Sequence, residues 1–185
     1  MKSFSMRATP VALLFALAAA PALAADFSLT VSGIKNGQAV AAENYWNNFG
    51  CSGGNVMPKL EWKNAPAGTK SFAVTFYDKD APTGSGFWHW VAYNIPADTQ
   101  GLPGGANGGS LPAGAVEGNT DLGKPGFFGP CPPVGRKHHY VWTVHALKTD
   151  ALAVDKNASP ALVGFYLWQN RLGEASVTVT AGPRK

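Results

Sequence analysis

Apolar and polar residues alternate along most of the chain beyond residue 25. Phe27, Leu29 and Val31 share one face of a first strand, and Leu60 with Trp62 one face of a second, because successive side chains of a strand point to opposite sides of its sheet. Phe72, Val74 and Phe76 mark a third strand that runs into Asp78-Lys79-Asp80. Trp88 to Ile95 and Tyr140 to Leu147 give a fourth and a fifth, and Ser176 to Ala181, with Val177 and Val179 inward, a sixth. The period changes once. Ser159 is a capping residue, Pro160 suits the first helical position and Gly173 suits a stop, so a helix is predicted over about 160–172. Its stripe of Leu162, Phe165, Tyr166, Gln169 and Leu172 is expected to face the core. The stretch Leu102 to Pro133 reads as mostly loop, with a short strand near Val116 to Thr120. It ends in Gly129-Pro130-Cys131-Pro132-Pro133, whose prolines make a stiff wall for a pocket. With no internal repeat and no linker, the pattern predicts one predominantly β domain.

Residues 1–24 are expected to lie outside that domain. Lys2 and Arg7 precede the apolar run Val11 to Ala20, which Ala22-Leu23-Ala24 closes, the three-part arrangement of a signal peptide cleaved before Ala25. The run is too short for a membrane span, and no later segment is longer. The domain is then 25–185, periplasmic or secreted, and no cysteine follows Ala24 to carry a lipid. Composition fits a turn-rich β protein, with 22 Gly, 14 Pro and 14% charged residues. Removing the leader takes two of 15 basic and none of 11 acidic residues. The slight positive balance left has no basic cluster beyond Arg184-Lys185, so nucleic acid is not an expected partner. Cys51 and Cys131 read first as a disulfide in an exported protein, with two free buried thiols as the alternative. No Cys-x-x-Cys supports redox chemistry.

Three polar groups adjoin the apolar strands: Asp78 and Asp80 at a strand end, His89 between Trp88 and Trp90, and His138-His139-Tyr140 at the start of another strand. If the strand spacing continues, Asp78 and Asp80 point the same way, as do His138 and Tyr140. Strand-end aspartates also cap turns, and a histidine flanked by tryptophans is often a hydrogen-bonded structural residue. His145, isolated in mid-strand, belongs to that structural class.

Asp78-Lys79-Asp80-Ala81-Pro82, Trp88-His89-Trp90-Val91, Asn94-Ile95-Pro96, Gly129-Pro130-Cys131-Pro132-Pro133 and His138-His139-Tyr140-Val141-Trp142 resemble, in order and spacing, the phosphatidylethanolamine-binding protein family, also called Raf kinase inhibitor-like proteins. Cys51-Ser52-Gly53-Gly54-Asn55, Pro58, Leu60 and Trp62 are similar to its bacterial YbhB/YbcL branch. The resemblance implies a single domain of antiparallel sheets with a small pocket for phosphate-like groups, phospholipid head groups included. It would be lined by Asp78, Asp80, His89, Gly129, Pro130, His138 and Tyr140. Lys79 and His139 stand where many relatives have Pro and Arg. The chain stops after its last strand, without the C-terminal helix of kinase-regulating relatives.

The resemblance implies a non-enzymatic binding protein for a small phosphorylated or anionic ligand, with no cofactor and no metal. A protein-interaction or inhibitory module, acting through a loop such as Gly101 to Gly114, and a phosphoester hydrolase using His89 or His138 with an aspartate are the competing readings. Gly84-Ser85-Gly86 lacks the Gly-x-Ser-x-Gly elbow of serine hydrolases, and no compact histidine spacing marks a zinc site. Carboxylates in an anion pocket repel the ligand. Two arrangements resolve this: protonated imidazoles that donate to the anion, or a monoanionic ligand that brings its own proton.

Overall fold

A computed structural model describes residues 25–185; the expected leader lies outside the described residues. In chain order the strands are β1 (Ser28–Val31), β2 (Val56–Met57), β3 (Leu60–Lys63), β4 (Ser71–Asp78), β5 (Phe87–Pro96), β6 (Gly101–Leu102), β7 (Gly105–Ala106), β8 (Val116–Glu117), β9 (His138–Leu147) and β10 (Arg171–Ala181). The helix α1 (Pro160–Asn170) precedes β10.

The long strands form an antiparallel sheet ordered β10-β9-β4-β5-β8. A smaller sheet, β1-β3-β6, lies against one face of it, and β2 pairs with β7 beside it. Phe72, Val74, Phe76, Trp90, Trp142 and Val177 from the large sheet meet Val31, Leu60, Trp62 and Leu102 from the small one in a single apolar cluster. The opposite face, with Ala73, Val91 and Leu147, takes Val163 and Leu167 of α1. β4 is therefore buried on both sides, which explains its nearly unbroken apolar run.

Ser159 caps α1 as expected, its hydroxyl accepting from the Leu162 N–H at 3.2 Å. Two other expectations fail there. The helix ends at Asn170 and passes directly into β10, so Gly173 lies in a strand, where the register slips against β9. That glycine is required sterically, since a Cβ there would sit 2.9 Å from the Pro66 ring. The buried face is Pro160, Val163 and Leu167, while Leu162, Phe165 and Leu172 are exposed. The helix is apolar nearly all round, so its period does not select a face, and Val163 and Leu167 are the residues that pack against Ala73, Val91 and Leu147 of the sheet, with Tyr166 half-buried beside them.

His145 on β9 is buried, with Nε2 3.4 Å from Thr75 Oγ1. Burial first, and Arg171 second, push its imidazole down to about 3. The ring is neutral, so its 3.4 Å approach to Glu174 is not an ion pair. The remaining staple is a Cys51–Cys131 disulfide with a Cα–Cα distance of 5.9 Å.

Candidate functional site

Strand register assembles the polar groups at one sheet end. Asp78, the last residue of β4, lies opposite Tyr140 of β9 and Phe87 of β5. His138, two residues before Tyr140, shares its face, and His89 shares the face of Phe87. His138 Nδ1 donates to Asp78 Oδ2 at 2.7 Å, and the other Asp78 oxygen accepts from the Asp80 N–H at 2.9 Å. His89 Nδ1 lies 2.8 Å from the Phe128 carbonyl. A carbonyl only accepts, so Nδ1 carries the proton and Nε2 presents a lone pair. All three side chains are almost fully enclosed, with Asp78 3%, His138 5% and His89 8% exposed.

Burial dominates the charge state of His89. It pushes the imidazole down to about 4, and the opposing pull of the Phe128 carbonyl and of Asp78 only limits the fall. His89 is therefore neutral at pH 7. Tyr140 lies beneath, fully buried, its ring centroid 5.2 Å from that of His89. Burial, and then Asp78, raise its phenol above the ordinary range. Its hydroxyl is near Asp78 but meets no partner at hydrogen-bonding geometry.

Asp78, His89 and His138 face a cavity of about 420 Å³ whose other walls are largely apolar: Trp46, Phe49, Ala81, Pro82, Phe87, Leu122 and Pro133, with Thr83 and Cys131. Trp46 and Phe49 stack at its rim, ring centroids 5.0 Å apart. Phe87 and Leu122 were not singled out from the sequence, although Phe87 precedes His89 by two residues and so shares its face. Thr83 belongs to a turn, where no periodic signal operates.

The other anticipated residues sit differently. β4 stops at Asp78 and the chain turns, so strand spacing does not carry Asp80 into the cavity. Instead its Oδ2 accepts from the backbone N–H of His139 at 2.7 Å and from His139 Nδ1 at 2.5 Å. Partial burial opposes ionisation of Asp80, but these bonds outweigh it and hold the carboxyl below its usual range. Asp80 lines an adjoining groove of about 380 Å³ with Arg136 and Lys137, which shares Pro82, Pro133 and His138 with the cavity. Gly129 and Pro130 form the strap behind the cavity. The Gly129 N–H is already donated to Asn55 Oδ1 at 2.7 Å, so it is not a free donor, and Pro130 offers its carbonyl to the Trp46 N–H. A Cβ on Gly129 would lie 2.1 Å from the Asn44 carbonyl oxygen. Among the described residues, no group of three or more His, Cys, Asp or Glu is arranged to hold a metal ion.

Residues 30–182 match the sequence pattern described as phosphatidylethanolamine-binding protein. The chain belongs to that family. The UPF0098 protein YbcL of Escherichia coli K12 is 48% identical over 177 residues, 94% of this chain and 97% of YbcL. YbhB of the same organism is 47% identical over 147 residues, 78% of this chain and 93% of YbhB. The putative lipoprotein LppC of Mycobacterium tuberculosis H37Rv is 34% identical over 133 residues, 71% of this chain and 63% of LppC. The crystal structure of YbcL, described there as a new member of the mammalian PEBP family, superposes with a TM-score of 0.80 at 49% identity. The match covers 84% of this chain and 98% of YbcL. In this phosphatidylethanolamine-binding protein family member, Asn55 of the Cys51–Asn55 segment clamps the strap that bounds the cavity. Its amide donates to the Phe127 carbonyl at 3.0 Å and to Asn107 Oδ1 at 2.9 Å, while its oxygen holds Gly129. The clamp fixes the Phe128 carbonyl and, through it, the tautomer of His89.

Proposed function

We propose that the protein is an exported, non-enzymatic binding protein whose cavity accepts a phosphate-like group, free in solution or as the head group of a phospholipid. The buried Asp78–His138 pair in an otherwise apolar cavity, beside a neutral His89, carries this reading. Pairing with His138 occupies one Asp78 oxygen and moderates the repulsion a bare carboxylate would exert. His89 Nε2 is an acceptor, so it suits a ligand that brings a donor: the remaining P–OH of a phosphomonoester or phosphate monoanion, or the ammonium of an ethanolamine head group, whose phosphodiester carries no proton. His138, its Nδ1 committed to Asp78 Oδ2, lines the same cavity. Of the two resolutions of the charge conflict, the acceptor at His89 Nε2 favours the ligand that brings its own proton.

Absence of turnover is part of the proposal. The Thr83 hydroxyl donates to the Gly86 carbonyl and Cys131 is oxidised in its disulfide, so neither cavity residue is an activated nucleophile. Export is supported by the leader-like residues 1–24, by the disulfide and by the lipoprotein name that LppC carries.

Calorimetric titration with phosphate and phosphoethanolamine from pH 5 to 8 tests the reading. Saturable binding is expected, weakening as the ligand loses its second proton, near a pKa of about 6 for phosphoethanolamine and at higher pH for inorganic phosphate. Affinity that stays flat or climbs over that range would overturn the monoanion reading. Turnover of p-nitrophenyl phosphate that His138→Ala abolishes would move the hydrolase to first place.

A further inference from the structure

Among the described residues, five side chains other than glycine stand on backbone with a positive φ. Four are asparagines (Asn55, Asn64, Asn94 and Asn107), which tolerate it; the fifth is Phe49, at +51°. A bulky residue keeps such a conformation only where its surroundings over-determine it, and strain of this kind collects at ligand clamps and switches. Phe49 stacks on Trp46 at the cavity rim and is 68% exposed, so burial does not hold it. The hold comes from its neighbours. Asn48 Oδ1 accepts from the Phe49 N–H at 2.8 Å, and the Asn48 carbonyl accepts from the Cys51 N–H at 2.9 Å, which closes a turn. Two ties then fasten that turn to the strap behind the cavity. Cys51 is bonded to Cys131, and the Arg184 side chain donates to the Gly50 and Pro132 carbonyls, each at 2.6 Å.

Of these ties only the covalent one is reversible by redox chemistry. Cys131 itself lines the cavity, and the Asn48 and Phe49 carbonyls lie 3.4 and 3.5 Å from its sulfur, so the bond runs directly under the strained turn. In the disulfide that sulfur has no proton to donate, and as a thiol it is only a weak donor, so no strong bond replaces the covalent tie. The inner wall does not depend on it. The Trp46 N–H donates to the Pro130 carbonyl at 3.1 Å, and Asn55 holds Gly129.

We propose that the Cys51–Cys131 bond is a redox latch on the cavity. Oxidised, it holds Phe49 at the rim; reduced, the turn relaxes to unstrained backbone, Phe49 leaves the rim and the ligand binds more weakly. Closing the latch is thiol–disulfide exchange. The two thiols give two electrons and two protons to a protein disulfide, one S–S bond forms as the other breaks, and that partner leaves as a dithiol; a dithiol reductant reverses the step. Thiols stay reduced in the cytosol and are oxidised after export, so the cavity gains its full affinity only outside the compartment of synthesis. The inference rests on the exported binding protein proposed above and adds its regulation.

The test compares the purified protein oxidised, reduced with a phosphine and reoxidised, by ¹H–¹⁵N NMR and by phosphoethanolamine titration. On reduction the Phe49 amide and Trp46 indole resonances should move while the amides of β4 and β9 stay in place. With the rim formed about a tenth of the time, apparent affinity should fall about tenfold, and reoxidation should restore it. Phe49→Gly in the oxidised protein should weaken binding to a similar degree and leave reduction little to add, because both act through one ring. Unchanged Phe49 resonances and affinity on reduction, or losses from reduction and Phe49→Gly that multiply in full, would overturn the latch. Collapse of the β4 and β9 amides would overturn it too, making the bond a staple of the whole fold. If no redox form binds phosphoethanolamine, the head-group reading falls, and the Phe49 and Trp46 resonances alone decide the latch.

Discussion

Acid should destabilise this protein through its buried imidazoles, and the share due to His89 can be isolated. In the folded chain burial holds His89 down to about 4, whereas the unfolded side chain titrates near an ordinary 6.5. Between those values the unfolded state binds one proton that the folded state refuses, so stability rises with pH and is lost as pH falls through the window. One proton corresponds to about 1.4 kcal/mol per pH unit, and the whole shift to about 3 kcal/mol. His145, pushed down to about 3, contributes with the same sign. Urea unfolding of the wild type and of His89→Gln between roughly pH 4.5 and 6 separates the two. The glutamine amide can still donate to the Phe128 carbonyl, and every other titrating group is common to both proteins. The wild-type stability should therefore fall more steeply with acid by about 1.4 kcal/mol per pH unit. Parallel pH dependences would refute a neutral buried His89, and with it the acceptor role given to Nε2.

Three further outcomes follow from packing. Replacing both Cys51 and Cys131 by serine opens a loop with a sequence separation of 80 and should cost on the order of 4 kcal/mol, read as a Tm lowered by about 10 °C in calorimetry. Leu167→Ala should cost about 2–5 kcal/mol in chemical denaturation, whereas Trp168→Ala, at a side chain 67% exposed, should stay within about 0.5 kcal/mol. Gly129→Ala forces the strap away from Asn44 and should destabilise by about 1–3 kcal/mol or more. It should also shift the His89 ring resonances, because the Phe128 carbonyl moves with the strap.

The long strands were legible because their alternation spans enough residues to define a period. β4, β5 and β9 appear where Phe72 to Phe76, Trp88 to Ile95 and Tyr140 to Leu147 predict them. β2, β6 and β7 have two residues each, too few for any period, and exist only because neighbouring chain offers them a partner. Recognition of the family from separated motifs is shown by the match over residues 30–182. Which residues meet in the cavity was only partly legible. Asp78, His89 and His138 converge through strand register, but Asp80 leaves the pattern at the turn and pairs with His139. The apolar walls from Phe87 and Leu122 carry no chemical signature in a sequence rich in aromatic residues. The buried face of α1 was only partly legible: Tyr166 of the expected stripe packs against the core, but Val163 and Leu167 stand there in place of Leu162 and Phe165, because an all-round apolar helix has no preferred side until a sheet is present.

The most direct measurement is long-range ¹H–¹⁵N NMR of the histidine rings during titration with phosphoethanolamine at pH 6, in the wild type and in His89→Gln. The expected result is a neutral, Nδ1-protonated His89 in the free protein. On saturation, His89 Nε2 and His138 should shift together, with weaker binding in the variant. A charged His89, or rings unmoved by ligand at millimolar concentration, would contradict a phosphate-accepting cavity at Asp78, His89 and His138.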